Sequence, residues 1–80
     1  RGLGDVYKRQ VIYYDTCTVS GTDAKAAPDG TITSTVDSDS FPTEDGQSNF
    51  GTGYAYRYGS ENGTLEVQID GEWWIFAANQ

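Results

Sequence analysis

The clearest pattern of apolar and polar positions lies near the C-terminal end, in residues 64–69, where Leu, Val and Ile alternate with Thr, Glu and Gln. This two-residue period predicts a strand with one face buried. Asp70-Gly71 follows at once. A two-residue type I′ turn needs positive φ at both positions, which Gly accepts freely and Asp tolerates. The pattern therefore predicts a hairpin whose second strand runs from Glu72 to Ala77.

A second turn signal, Asn62-Gly63, extends this hairpin into a three-strand meander over residues 54–77. A two-residue turn there pairs Tyr58 with Val67, Arg57 with Gln68 and Tyr56 with Ile69. Gly59 permits two alternatives, a longer loop over Gly59–Gly63 or a bulge, and either would shift this register. In either case one face collects the apolar side chains Tyr54, Tyr56, Tyr58, Leu65, Val67, Ile69, Trp74 and Phe76.

The rest of the chain predicts two further strands and no long helix. Residues 11–14 are β-prone and continue by alternation to Val19, and residues 31–36 form a Thr-rich strand with Ile32 on its inner face. Residues 24–27 favour at most one helical turn. Residues 37–48 are polar, and we expect Phe41 to anchor this loop in the core.

The expected fold is therefore all-β, a small antiparallel sheet of about five short strands arranged as a sandwich or a partial barrel.

The first ten residues are a special case. They read Arg-Gly-Leu-Gly-Asp-Val-Tyr-Lys-Arg-Gln, and all ten resemble the in-frame translation of a transposase-type sequencing adapter, whose mosaic end encodes Asp-Val-Tyr-Lys-Arg-Gln. The resemblance implies that residues 1–10 are not native protein, take no part in the fold and can be deleted at little cost in stability. It also implies that the natural N-terminus is missing. The seventy residues of 11–80 are long enough for a single small β domain, or for a fragment of one.

Charge narrows the possible partners. The chain carries a net charge of −7, and residues 11–80 alone hold two basic residues against eleven acidic ones. Such a surface repels phosphate, which argues against nucleic acid and anionic membranes as partners. High Gly, Ser, Thr, Asp and Tyr content favours an extracellular or virion protein.

The polar face of the meander supplies one candidate site. Trp73 and Arg57 are expected side by side there, with Gln68 between them, so that a sugar or a peptide could stack on the ring. Tyr58 is a further candidate for this site. The alternative is that a second layer or a subunit covers Trp73, because an exposed Trp-Ile patch is usually an interface.

Other chemistry has less support. Asp37, Asp39 and Glu44 offer the oxygen ligands that Ca²⁺ prefers, but Phe41 and Pro42 stand where an EF-hand loop needs an oxygen ligand and a glycine. No other cofactor is indicated. The chain has no His, and its single Cys17 has none to activate it, so we expect no enzyme and a buried or half-buried thiol.

These observations favour a non-catalytic acidic β-module that acts by surface contact with a protein partner or by self-assembly, as part of a virion or of a secreted surface protein. A carbohydrate- or peptide-binding module using Trp73 and Arg57 is the alternative. A fragment of a larger hydrolase is the third hypothesis.

Overall fold

The computed structural model describes residues 4–21 and 27–78, and it confirms the all-β class. The strands are β1 (Asp5–Lys8), β2 (Val11–Val19), β3 (Gly30–Thr31), β4 (Ser34–Thr35), β5 (Gln47–Ser48), β6 (Ala55–Tyr58), β7 (Thr64–Ile69) and β8 (Glu72–Ala77). They form one curled sheet, a half-barrel, in the order β3-β6-β7-β8-β2-β1-β5-β4. Pairing is mostly antiparallel, whereas β4 and β5 run parallel. The helical turn considered at residues 24–27 falls largely outside the described residues.

The predicted β7–β8 hairpin is confirmed in register and in turn type. Ile69 lies opposite Glu72 and Leu65 opposite Phe76. Asp70 and Gly71 both have positive φ, 54° and 83°, as a type I′ turn requires.

The predicted β6–β7 register is wrong by two residues. Tyr58 pairs with Leu65 and Arg57 with Glu66, because the connection is a loop over residues 60–63 rather than a two-residue turn. The Gly59 amide donates to the Thr64 carbonyl oxygen, and the Thr64 hydroxyl donates to the Glu61 carbonyl oxygen at 2.6 Å. These bonds favour the longer loop. A shift of two residues keeps every side chain on its predicted face.

The core lies on the predicted apolar face of the meander and also takes in residues from β1, from β2 and from the segment between β3 and β4. Its buried members are Val6, Tyr13, Ile32, Tyr56, Leu65, Val67, Ile69 and Phe76. Tyr54, Tyr58 and Trp74 are half-buried and pack against this cluster. The hydrophobic pattern therefore predicted the correct side of the meander.

Residues 4–10 lie inside the fold, so the expectation that they take no part in it is wrong. The β1 strand forms a hairpin with β2 through Arg9-Gln10 and pairs with β5 on its other side. Val6 is 1% exposed in the core. Val and Tyr favour a strand here, and the pairing of β1 on both sides together with burial of Val6 stabilises it.

Residues 30–36 join the two ends of the curled sheet. The Ile32 amide donates to the Tyr54 carbonyl oxygen beside β6, whereas the next amide, Thr33, donates to Gly46 beside β5. Ile32 is fully buried while Thr31 and Thr33 are exposed, which confirms the predicted alternation. Both β3 and β4 therefore belong to one extended segment that is hydrogen-bonded on its two sides at successive residues.

Cys17 lies at an irregularity in β2, where the register with β8 shifts between Asp15 and Thr18. Its φ is 61°, and its amide donates to the Asp15 carboxylate at 2.8 Å. The side chain is exposed, so the expectation of a buried or half-buried thiol is wrong. The bulge turns this residue outward.

Candidate functional site

The structure brings Trp73 and Arg57 together, but it buries both. The guanidinium carbon of Arg57 lies 4.2 Å from the centroid of the Trp73 ring, and Trp73 is 4% exposed. A cation therefore already occupies one face of the indole, and little of the remaining surface reaches solvent. The predicted stacking platform is not open to a sugar or a peptide.

Glu66 completes this cluster on the polar face. Its Oε1 accepts from Arg57 Nε at 2.6 Å, and its Oε2 accepts from the Ser20 hydroxyl at 2.9 Å. The side chains of Arg57 and Glu66 are 7% and 4% exposed. Because both charges are desolvated, each depends on the other for compensation. The predicted register placed Arg57 opposite Gln68, which concealed this ion pair.

Gln68 and Tyr58 occupy different surroundings. Gln68 is half-buried and lies opposite Trp73 on the same face, as predicted. Tyr58 lies on the other face of the sheet, where its ring meets Tyr56 edge-on at 6.3 Å. Its buried hydroxyl has no hydrogen-bond partner within the described ranges. The four predicted ligand-binding residues therefore do not form one site.

A small open pocket of about 240 Å³ lies beside the buried ion pair. It is lined by Ser20, Gly21, Ser60, Glu61, Thr64, Glu66 and Ile75. Hydroxyl and carboxylate oxygens contribute to this lining beside apolar surface, part of which comes from Ile75. The pocket can accept hydrogen bonds from a small polar molecule.

The predicted metal ligands remain apart. Asp37, Asp39 and Glu44 are all exposed, and no group of three or more potential ligands comes together within residues 4–21 and 27–78. The three carboxylates lie on an irregular loop that does not bring them together around one position. The structure therefore gives no support to the Ca²⁺ hypothesis.

The same loop presents a different feature, an exposed aromatic ring. We call residues 37–45 the Phe41 loop. Phe41 is 62% exposed, whereas the adjacent Pro42 is fully buried, so the expectation that Phe41 anchors the loop in the core is wrong. Proline lacks an amide hydrogen and can be buried without a hydrogen-bond donor to satisfy. Burial of Pro42 fixes the chain and leaves the preceding side chain in solvent.

Buried amides hold the Phe41 loop on both sides of the aromatic ring. Asn49 Nδ2 donates to the Ser40 carbonyl oxygen at 2.9 Å. Gln47 Oε1 accepts from the Thr43 amide at 2.8 Å. Asn49 and Gln47 are 6% and 4% exposed. Since bonds to buried amides are not exchanged for water at low cost, the backbone around Phe41 is held in place.

The charges of the Phe41 loop divide into one that is paired and three that are not. Asp45 accepts from Lys8 Nζ at 2.9 Å and from the Arg9 amide at 2.7 Å. The Arg9 amide bond, followed by the Lys8 bond, lowers the pKa of Asp45 below its usual value of 3.8. Asp37, Asp39 and Glu44 form no ion pair with any described residue.

The sequence correctly predicted a polar loop at residues 37–45. The prediction that Phe41 is its buried residue was wrong, because Pro42 is buried and Phe41 is exposed. A usable signal was present, because Phe41-Pro42 stands between Asp, Ser, Thr and Glu with no second aromatic nearby. Among these residues proline is the one that can be buried without leaving a backbone amide hydrogen unsatisfied.

No protein-family profile matches this chain, and neither characterised proteins nor solved structures give a match.

Proposed function

We propose that this chain is a non-catalytic acidic β-module that acts by surface contact, with Phe41 as the apolar anchor of the contact. The observation that carries the proposal is the 62% exposure of Phe41 on a loop whose neighbouring residues are held by buried groups. Composition favours the outside of a virion or of a cell as the place of contact.

Exposure of Phe41 is unfavourable for the isolated chain. Val19 and Phe41 are the large apolar side chains that stay exposed among the described residues. Complete burial of a Phe side chain is worth about 1.5–3 kcal/mol, which the isolated chain largely forgoes at this position. Aromatic residues that fill a pocket on a partner are common centres of binding energy. An exposed ring on a fixed loop fits that role.

The fixed backbone strengthens this argument. Binding costs free energy when loops and side chains must be ordered at the interface. The bonds from Asn49 and Gln47 order the Phe41 loop before any partner arrives. The ordering cost at the contact is therefore reduced.

A test needs no known partner at the outset. Phe41→Ser is compared with Val19→Ser, which removes the other exposed apolar side chain, at the end of β2. We expect both variants to melt close to the wild type, because exposed side chains contribute little to stability. Sedimentation over a wide concentration range then shows whether the wild type self-associates. If it does, Phe41→Ser abolishes the association and Val19→Ser does not.

If the wild type is monomeric, the contact is with a different molecule. A phage-displayed library of random peptides is then selected on the wild-type protein and counted against both variants. We expect an enriched group of peptides to lose binding to Phe41→Ser alone. A monomer whose selected peptides bind Phe41→Ser as well as the wild type would refute the proposal.

Binding of a small polar ligand such as a monosaccharide is a second candidate, favoured by the pocket beside Glu66 rather than by Trp73. The hydroxyl and carboxylate oxygens in its lining can accept hydrogen bonds from the hydroxyl groups of a sugar. Amide NMR shifts at residues 20–21 and 60–66 during titration with a panel of monosaccharides would support it. Ser60→Phe, at the exposed rim, is expected to block these shifts, and a flat titration of the wild type would exclude the candidate.

A further inference from the structure

We infer that the Phe41 loop binds an arginine-bearing cationic segment of a partner protein. The inference rests on the proposed function, because it names the chemistry of the partner that Phe41 contacts. Phe41 supplies the ring, and Asp37, Asp39 and Glu44 supply the charges.

The carboxylates are available to a partner. Asp37, Asp39 and Glu44 are exposed and form no ion pair within the described part of the chain, whereas Asp45 is engaged by Lys8 and the Arg9 amide. An apolar partner would desolvate these three charges without compensation. A cationic partner replaces the lost water with charge-assisted hydrogen bonds. The loop therefore selects for positive charge around any surface that receives Phe41.

Arginine fits the combination of ring and carboxylates better than lysine does. A guanidinium group is planar, stacks on an aromatic face and donates in a fork that matches a carboxylate. One arginine can lie on the exposed Phe41 ring while a second pairs with a nearby acid. The Arg57–Trp73 stack shows that this chain already accommodates a guanidinium on an aromatic ring.

The net charge of the whole chain acts in the same direction. At −7 it attracts a cationic partner at long range and raises the association rate at low salt. It also disfavours a second copy of the loop, since two acidic loops repel each other. A basic partner is thus favoured over loop-to-loop self-assembly.

The test uses two capped synthetic peptides of equal length, Arg-Leu-Arg-Gly-Arg-Leu and the same peptide with citrulline in place of every arginine. Each is titrated into the ¹⁵N-labelled full chain, and the amide shifts of residues 37–45 are followed at low and at physiological salt. We expect the arginine peptide to bind at this loop, with affinity that falls as salt rises. The citrulline peptide, which keeps the shape but not the charge, should not bind.

Matched variants separate the contributions of ring and charge. Phe41→Ala should weaken binding of the arginine peptide about fivefold, through loss of the stacked cation. Glu44→Gln should weaken it about threefold, whereas Glu72→Gln, the same change at an exposed site on β8, should leave it unchanged.

The outcomes distinguish the inference from the proposed function. Equal effects of Glu44→Gln and Glu72→Gln would mean that only net charge matters, and would overturn the inference. Equal binding of both peptides with loss in Phe41→Ala would overturn it while leaving Phe41 as an anchor. Failure of the arginine peptide to bind would also overturn it. The peptide-library selection described above tests the anchor independently of charge.

Discussion

Two regions of this sheet are held together by different means. In the meander of β6, β7 and β8, the strands are four to six residues long and continuous backbone ladders join them. Around the Phe41 loop, β4 and β5 have two residues each, and the side chains of Gln47, Ser48 and Asn49 bond to backbone and to other side chains. In the meander the backbone ladders join the strands, whereas around the Phe41 loop buried amide side chains hold backbone that no long ladder joins.

The β1 strand couples these regions, and its removal is the largest change we consider. It lies between β2 and β5, and it contributes the buried Val6. A core of this size supplies about 3–5 kcal/mol of folding free energy. Deletion of residues 1–10 should remove most or all of that free energy. Urea denaturation followed by circular dichroism measures the loss.

Val6→Ala provides a milder companion to the deletion, with an expected loss of about 2 kcal/mol. If both variants denature at the same urea concentration as the wild type, the segment contributes nothing to the fold. That result would agree with its resemblance to an adapter sequence.

The buried ion pair tests the meander. Glu66→Gln leaves the Arg57 guanidinium buried without its carboxylate, and we expect a loss of about 3 kcal/mol in urea denaturation. The double variant Arg57→Leu/Glu66→Leu should recover most of that loss, because it removes both charges at once. A double variant less stable than Glu66→Gln would show that the pair itself holds the meander together.

Asn49→Ala tests the Phe41 loop. It leaves the Asp5 amide and the Ser40 carbonyl oxygen without their partner, and should cost about 2 kcal/mol. Hydrogen exchange should speed up in residues 37–45 more than in β7 and β8. Uniform acceleration across the chain would mean that the two regions unfold together.

The smallest effect concerns pH and Asp45. Its carboxyl has a pKa lowered by the Arg9 amide and Lys8, so its stabilising effect is present above the unfolded value of 3.8 and is lost as pH falls through the folded value. The melting temperature of the wild type should exceed that of Asp45→Asn at pH 6. The difference should close as pH falls below 4, and a constant difference would contradict this linkage.

Particular residues show why some of the structure could be predicted and some could not. Asp70-Gly71 fixed the last hairpin because its turn chemistry and the flanking alternation agree. Asn62-Gly63 predicted the wrong register between β6 and β7. The two residues favour a two-residue turn, whereas the Thr64 hydroxyl stabilises a longer loop through its bond to the Glu61 carbonyl oxygen. Short polar elements such as β5 have no hydrophobic period, so the sequence around Gln47 in β5 and Asn49 just after it does not indicate that these side chains are buried. At Phe41-Pro42 the prediction took the aromatic ring as the buried member, whereas the structure buries the proline, which has no amide hydrogen to satisfy.

The segment of residues 30–36 has a consequence for aggregation. Exposed sheet edges offer unpaired amides on which another chain can add a strand. Here successive residues of one segment bond to β6 on one side and to the neighbourhood of β5 on the other. Another chain could add a strand to residues 30–36 only after this segment unfolds locally. The rate of seeded fibre formation should therefore depend on the rate of this local unfolding and not on protein concentration alone.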